Sequence, residues 1–256
     1  SAASVPLAGF PYHAYNQYVH KLLNSGYKVA LCEQIEDPKL AKGIVKRAVV
    51  ELLTPGTAIN NEFLNSTENN FLASIYIKDN NLGFAIVDNS TGELLCCETI
   101  SNNLNDLISK YHIKEIIVSE KQKDIVESLL DSKIMITTYD DWKTDSYNAY
   151  NKLIDQFKTK SLKGFGLEES SLSVIAASAC IYYIEDNYFG KTTHVNSITK
   201  INDSDYMHLD TFTIKNLEIF KSLNNNNKEG TLINIIDHTL TASGSRLIKN
   251  HLSRPL

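Results

Sequence analysis

NFLASIYIK (70–78), LGFAIVD (82–88) and ELLCCETI (93–100) are three short apolar runs separated by DNN and DNSTG. Tight, polar turns between such runs predict an antiparallel meander. The texture then changes. NNLNDLISKY (102–111) reads as a helix, KEIIVSE (114–120) as a short strand, QKDIVESLL as a second helix and KIMITTYD (133–140) as another strand. A meander followed by alternating helix and strand predicts a mixed sheet with helices on its faces, and hence an α/β fold. Cys96 and Cys97 are neighbours on the third strand. They should therefore point to opposite faces, unfit for a simple disulfide or a metal clamp.

Working outward, residues 142–166 read as a helix ending near Gly164, and 168–187 as a buried helix with Leu172, Ile175, Ala176, Ala179 and Tyr183 on one side. Beyond SITKIND the chain reads as pure helix. Asp210 is placed to cap TFTIKNLEIFKSL, NNNNKEG (224–230) is a polar connector, and Thr231 opens LINIIDHTL ahead of a last helix from ASGSR. Upstream, HAYNQYVHKLLN (13–24) puts Tyr15, Tyr18, Val19, Leu22 and Leu23 on one helical face, with Gly26 as its stop. KVALCEQI (28–35) and IVKRAVVELL (44–53) read as strands, and TPGT (54–57) as a turn before an Asn-rich stretch. Three textures predict three units, 1–57, 58–203 and 204–256.

The 256 residues are 43% hydrophobic and 21% charged, with a net charge of −5. That balance gives no global attraction to nucleic acid or to an anionic membrane, so any nucleic-acid contact must be local. LSVIAASACIYYI (172–184) is too short and too broken by serines to span a bilayer. The opening SAASVPLAGF lacks the pattern of a signal peptide. With four cysteines and no framework spacing, a reducing cytoplasm with free thiols is expected.

The meander plus mixed sheet is the outline of a ribonuclease H-like fold, many of whose members are metal nucleases. Such chemistry needs three or four carboxylates converging on two ions. Asp88, Glu98, Glu120 and Asp140 are the available acids, but Asp88 opens a turn that it can cap, and Glu120 and Asp140 sit at strand ends. FGKTT (189–193) has the tail of a P-loop, yet Glu185 stands where the pattern needs glycine, and a helix precedes it instead of a strand. The seven histidines form no HExxH, no CxxC occurs, and no nucleophile elbow is visible, so neither a catalytic nor a metal site is expected. Cys32, beside Glu33 and Gln34, looks at first like a nucleophile but has no partner base.

Two local features remain. Lys39, Lys42, Lys46 and Arg47 fall within nine positions, where a solvated face and a phosphate contact are both open readings. PLAGFPYHA (6–14) is a Gly/Pro loop leading into a helix start. Such a loop can approach a nucleic-acid backbone closely, with free N–H groups at the helix end.

AGFPYHAYNQYVHKLLNSGYKVALCEQIEDPKLAKGIVKRAVVELLTPGT (8–57) resembles the second half of the mismatch-recognition domain of the bacterial MutS family. NNFLAS, VDNSTGE and GFGLE resemble that family's connector domain, and LDTFTIKNLEI (209–219) and LINIIDHTLTASGSRLIKNHLSRPL (232–256) the start of its core domain. The resemblance implies a ribonuclease H-like connector without nuclease chemistry, flanked by a partial α/β mismatch-binding domain and the first helices of an α-helical core. It also implies binding of mispaired double-stranded DNA, coupling to MutL through helices near 102–111 or 121–131, and self-association as a dimer. The family's Phe-x-Glu wedge lies upstream of the AGxPxHA loop, and its ATP- and magnesium-binding P-loop domain downstream of Pro255. No cofactor is therefore expected in this stretch. Gly9, Pro11, Tyr12 and His13, with Lys42, Lys46 and Arg47, are the candidate DNA contacts. Cys32 is expected to be a small buried packing residue, Glu33 and Gln34 to hold the adjoining loop, and His251 to occupy a packing position.

Overall fold

The computed structural model describes residues 9–37, 43–57, 69–187, 192–202, 207, 209–224, 227–253 and 255. A 3-10 turn at Tyr12–Ala14 leads into α1 (Tyr15–Asn24), followed by the antiparallel pair β1 (Val29–Gln34) and β2 (Arg47–Leu53). Val19 and Leu23 of α1 pack on Leu53, with Tyr15 and Val29 beside them. This small core covers only one side of a two-stranded ribbon, so alternate ribbon residues stay in water. Cys32 is one of them: it is exposed, not buried as expected, and the ladder shifts register between Leu31 and Cys32.

The larger body is built on β3 (Phe71–Lys78), β4 (Asn81–Asp88), β5 (Glu93–Ile100), β6 (Glu115–Ser119), β7 (Met135–Tyr139) and β8 (Ser197–Lys200). They form one mixed sheet in the order β7-β6-β3-β4-β5-β8. β4 is antiparallel to both its neighbours, while β6, β7 and β8 join in parallel. The mixed sheet and its α/β class are as the sequence predicts. α2 (Leu104–Lys110) and α3 (Lys123–Leu129) cover one face, and α4 (Ser146–Phe157) and α5 (Leu172–Asn187) the other. Strand alternation divides the core accordingly. Leu72, Ala85, Val87, Leu94 and Cys96 meet α4 and α5, whereas Ala73, Phe84, Ile86, Leu95 and Cys97 meet α2 and α3. The adjacent cysteines thus do face opposite ways.

Some elements differ from expectation. The sequence does not announce β8, which lies in the SITKIND stretch ahead of the helical segment. It buries one of its four residues, too few to show a period of two. The helix read over 142–166 is broken. Asp145 accepts the Asn148 N–H at 3.0 Å and starts α4, and Lys158 in the left-handed region (φ 52°) ends it well before Gly164. Gln122 completes the sheet where β6 no longer pairs with β3: its side-chain amide accepts from the Ile77 N–H at 2.9 Å and donates to the Ile77 carbonyl at 2.6 Å.

Downstream, Asp210 caps α6 (Thr211–Asn216) by accepting the Thr213 N–H at 2.7 Å, and Thr231 caps α7 (Leu232–Ile236). α6 is shorter than the run that suggested it, and Glu218 at φ 47° follows in the left-handed region. α8 (Ala242–Ser253) carries His251 on an exposed position, not a packed one.

Candidate nucleic-acid interface

Gly9, Pro11 and His13 are exposed in the turn before α1, and the Ala14 N–H bonds to the Pro11 carbonyl at 2.9 Å. Tyr12 lies in the same turn. No side-chain hydrogen bond caps α1, which runs on directly from the Tyr12–Ala14 turn. Phe10, 44% exposed, stacks on Tyr18 with ring centres 4.5 Å apart, and the Lys21 ammonium lies 5.7 Å from the Tyr18 ring. The sequence places Tyr18 on the apolar face of this helix but does not group it with Phe10 and Lys21, although Tyr18 and Lys21 stand at i and i+3.

Lys46 and Arg47 are exposed at the loop end of the ribbon, where Arg47 pairs with Gln34. Lys42 lies outside the described residues. The loop between β1 and β2 is held by Glu36, whose Oε1 accepts the Lys46 N–H at 2.7 Å, and Glu33 and Gln34 are exposed. Among the described residues no hydrogen bond, ion pair or ring contact ties the Gly9–His13 turn to Lys46 or Arg47. They are two separate exposed groups on one small unit, not one preformed pocket.

Beneath the ribbon the structure shows a polar junction that the sequence did not reveal. The turn Thr54–Thr57 is buried against the sheet ends. The Thr54 and Thr57 hydroxyls are 2.7 Å apart. The Gly56 N–H donates to Glu115 Oε2 at 3.0 Å, and Asn70 Nδ2 donates to the Pro55 carbonyl at 2.8 Å. Asn89 Nδ2 donates to the Thr57 carbonyl at 3.0 Å. With that amide hydrogen committed, Asn89 Oδ1 accepts from His194 Nε2 at 2.7 Å, which places a proton on Nε2. Burial lowers the pKa of His194, against the hydrogen bond to Asn89. Glu115 also accepts from Thr137 Oγ1 at 2.9 Å and the Tyr183 hydroxyl at 2.7 Å. Burial first, and the neighbouring Glu115 second, push the Tyr183 pKa up.

The four acids weighed as a nuclease site do not converge. Asp88 is buried at the end of β4, where it accepts from the Ser90 N–H at 2.9 Å, the Ser90 hydroxyl at 2.6 Å and the Asn70 N–H at 3.3 Å. It is the turn cap its sequence context suggests. Glu98 Oε1 accepts the Ser173 N–H at 3.2 Å and so caps the start of α5. Glu120 and Asp140 are exposed beyond the other ends of β6 and β7. Among the described residues no group of three His, Cys, Asp or Glu side chains could hold a metal ion. Nor do the residues fit ATP with magnesium. Thr192 of the Gly-Lys-Thr-Thr stretch is buried and donates to Gln156 Oε1 at 3.0 Å, and 188–191 lie outside the described residues. No helix among them is long and apolar enough to cross a membrane.

Three family models match the chain in succession: MutS domain I over residues 1–62, MutS domain II over 70–196 and MutS domain III over 212–256. A DNA mismatch repair protein MutS from Flavobacterium psychrophilum is 41% identical over 256 residues, covering 100% of this chain and 29% of that relative. Relatives of the same name from Halothermothrix orenii and Bacteroides fragilis are 41% and 37% identical, over 98% and 99% of this chain and 28% and 29% of their own lengths. The chain thus spans less than a third of the curated relatives it matches.

Proposed function

The chain belongs to the MutS family of DNA mismatch-repair proteins, and from that premise we propose that it supplies the backbone-gripping part of a mismatch reader and the rigid body behind it. Residues 1–57 form the DNA-facing unit, 58–203 the connector and 204–256 the entry to the core. The exposed Gly9–His13 turn ahead of α1, and Lys46 and Arg47 on the ribbon, contact phosphates of mispaired duplex DNA. Contacts of this kind fix register on the duplex and carry no base information. The supporting observation is the ordered match to three MutS domains along the chain.

The connector is non-catalytic and carries a ribonuclease H-like framework whose acids serve as caps. Coupling to MutL takes place on the α3 side, where Ile125 is exposed, because α2 already packs against α6. ATP turnover and dimer formation are properties of the whole family protein, in the cytoplasm, and no nucleotide step runs through the residues described above. The test is a titration of this chain with labelled duplexes, with and without one mismatch. Salt-sensitive binding that does not discriminate between them, with no ATP turnover, is expected. Mismatch discrimination or ATPase activity by this chain would overturn the reading.

A further inference from the structure

Glu115 has no part in the DNA contacts proposed above, yet its placement is costly. It opens β6 and is fully buried, and among the described residues no cation pairs with it. An apolar β-branched residue would suit a buried strand start better, because a buried carboxyl group must recover its lost hydration through hydrogen bonds. Two hydroxyls of its own unit, Thr137 and Tyr183, both donate to Oε1. They hold the carboxyl group so that Oε2 faces the Gly56 N–H of the incoming turn.

The flanking groups converge on the same three residues. Asn70 holds the Pro55 carbonyl, Glu115 the Gly56 N–H and Asn89 the Thr57 carbonyl. Position 56 is tight for a side chain: a Cβ there would lie 3.0 Å from both Glu115 Cβ and Leu72 Cδ1, so these neighbours would have to give by a few tenths of an ångström. We propose that Glu115 is a positioning residue, the centre of a latch that fixes the Thr54–Thr57 turn, and with it β2 and the ribbon, on the mixed sheet. Its consequence for DNA rests on the reading of Lys46 and Arg47 given above; the latch itself does not.

Amide exchange on the chain tests it. Glu115→Ala should lower protection at Gly56 and Thr57 by about tenfold or more, while Ala85 and Ile86 in the sheet change less than about twofold. Glu115→Gln should keep that protection, since its carbonyl can accept from Gly56 while its amide donates to the Thr137 and Tyr183 oxygens. Gly56→Ala keeps the Glu115 carboxyl group and crowds it from the turn side, so it should reproduce the loss at Thr57, which guards against a Glu115→Ala chain that does not fold. Unchanged turn protection in Glu115→Ala, equal loss in turn and sheet in both alanine variants, or a Gln variant as open as Glu115→Ala would each overturn the latch. Duplex titration of the same variants separates the two ideas. A parent chain that binds no duplex refutes the DNA reading, and exchange alone then decides the latch.

Discussion

Gly83→Ala should be among the most damaging single-methyl changes in the sheet. Gly83 lies in β4 between Tyr76 and Glu98, and the first turn of α5 comes down on it. A Cβ at this position would sit 2.7 Å from Leu172 Cβ and closer still to the Leu172 carbonyl. Neither side can yield easily, because both obstacles are main chain or next to it. The helix start would have to lift by roughly 1 Å to restore van der Waals separation. That movement strains the bonds from the Ser173 N–H and hydroxyl to Glu98 Oε1, at 3.2 and 3.3 Å. Overpacking costs about 1–3 kcal/mol and loss of a helix cap about 0.5–2 kcal/mol, so a loss of about 1.5–5 kcal/mol is expected. With a urea dependence of about 2 kcal/mol per molar, the unfolding midpoint should fall by about 0.75–2.5 M. The assay is urea unfolding followed by far-ultraviolet circular dichroism. A midpoint within about 0.3 M of the parent would show that the approach of α5 to β4 is not close enough to exclude a methyl group.

Other consequences are as open to measurement. Cys32 is exposed and the other three cysteines are buried, so a thiol reagent should label one site quickly in the native chain and all four in urea. Burial, with Cys97 second, pushes the Cys96 thiol up to about 12, and burial with Cys96 beside it pushes Cys180 up as well, so neither offers thiolate at pH 8. Rapid native labelling of two or more sites would contradict this. Asp237 accepts from the Ser245 hydroxyl at 2.6 Å and the Thr239 hydroxyl at 2.5 Å, and these bonds, Ser245 first, hold its pKa down at about 2. A depressed acid stabilises the fold above its unfolded value of 3.8 and loses that contribution as pH falls towards 2. Carboxyl NMR should show the low midpoint and its rise in Ser245→Ala, and an unmoved midpoint would sink the assignment.

What could be read from the sequence was whatever is local. β3, β4 and β5 announced themselves through turn residues and apolar runs, and Asp88, Asp210 and Thr231 through capping positions. Lys158 carries no glycine signal for its left-handed conformation, so the end of α4 was misplaced. The resemblance implies a packed interior for Cys32, but the ribbon has just one covered side and leaves this thiol exposed. The polar junction was invisible for a different reason: nothing local in KEIIVSE marks Glu115 as buried. Its burial arises from Gly56, 59 positions away, and from Tyr183, 68 positions away, and no period in the chain encodes such pairings. The candidate DNA residues were legible as motifs, whereas Phe10, Tyr18 and Lys21 emerged as a cluster only once α1 was in place.

The most direct test of the DNA-facing role is the salt dependence of duplex binding by the parent chain and by Lys46→Glu/Arg47→Glu. Two lost phosphate contacts should lower the slope of log affinity against log salt by about 2, and the affinity at low salt by about tenfold or more. Lys121→Glu/Lys123→Glu on the α3 side should leave both quantities unchanged. An unaltered slope in the ribbon variant, or an equal loss in the α3 variant, would contradict the assignment of the ribbon to the DNA backbone.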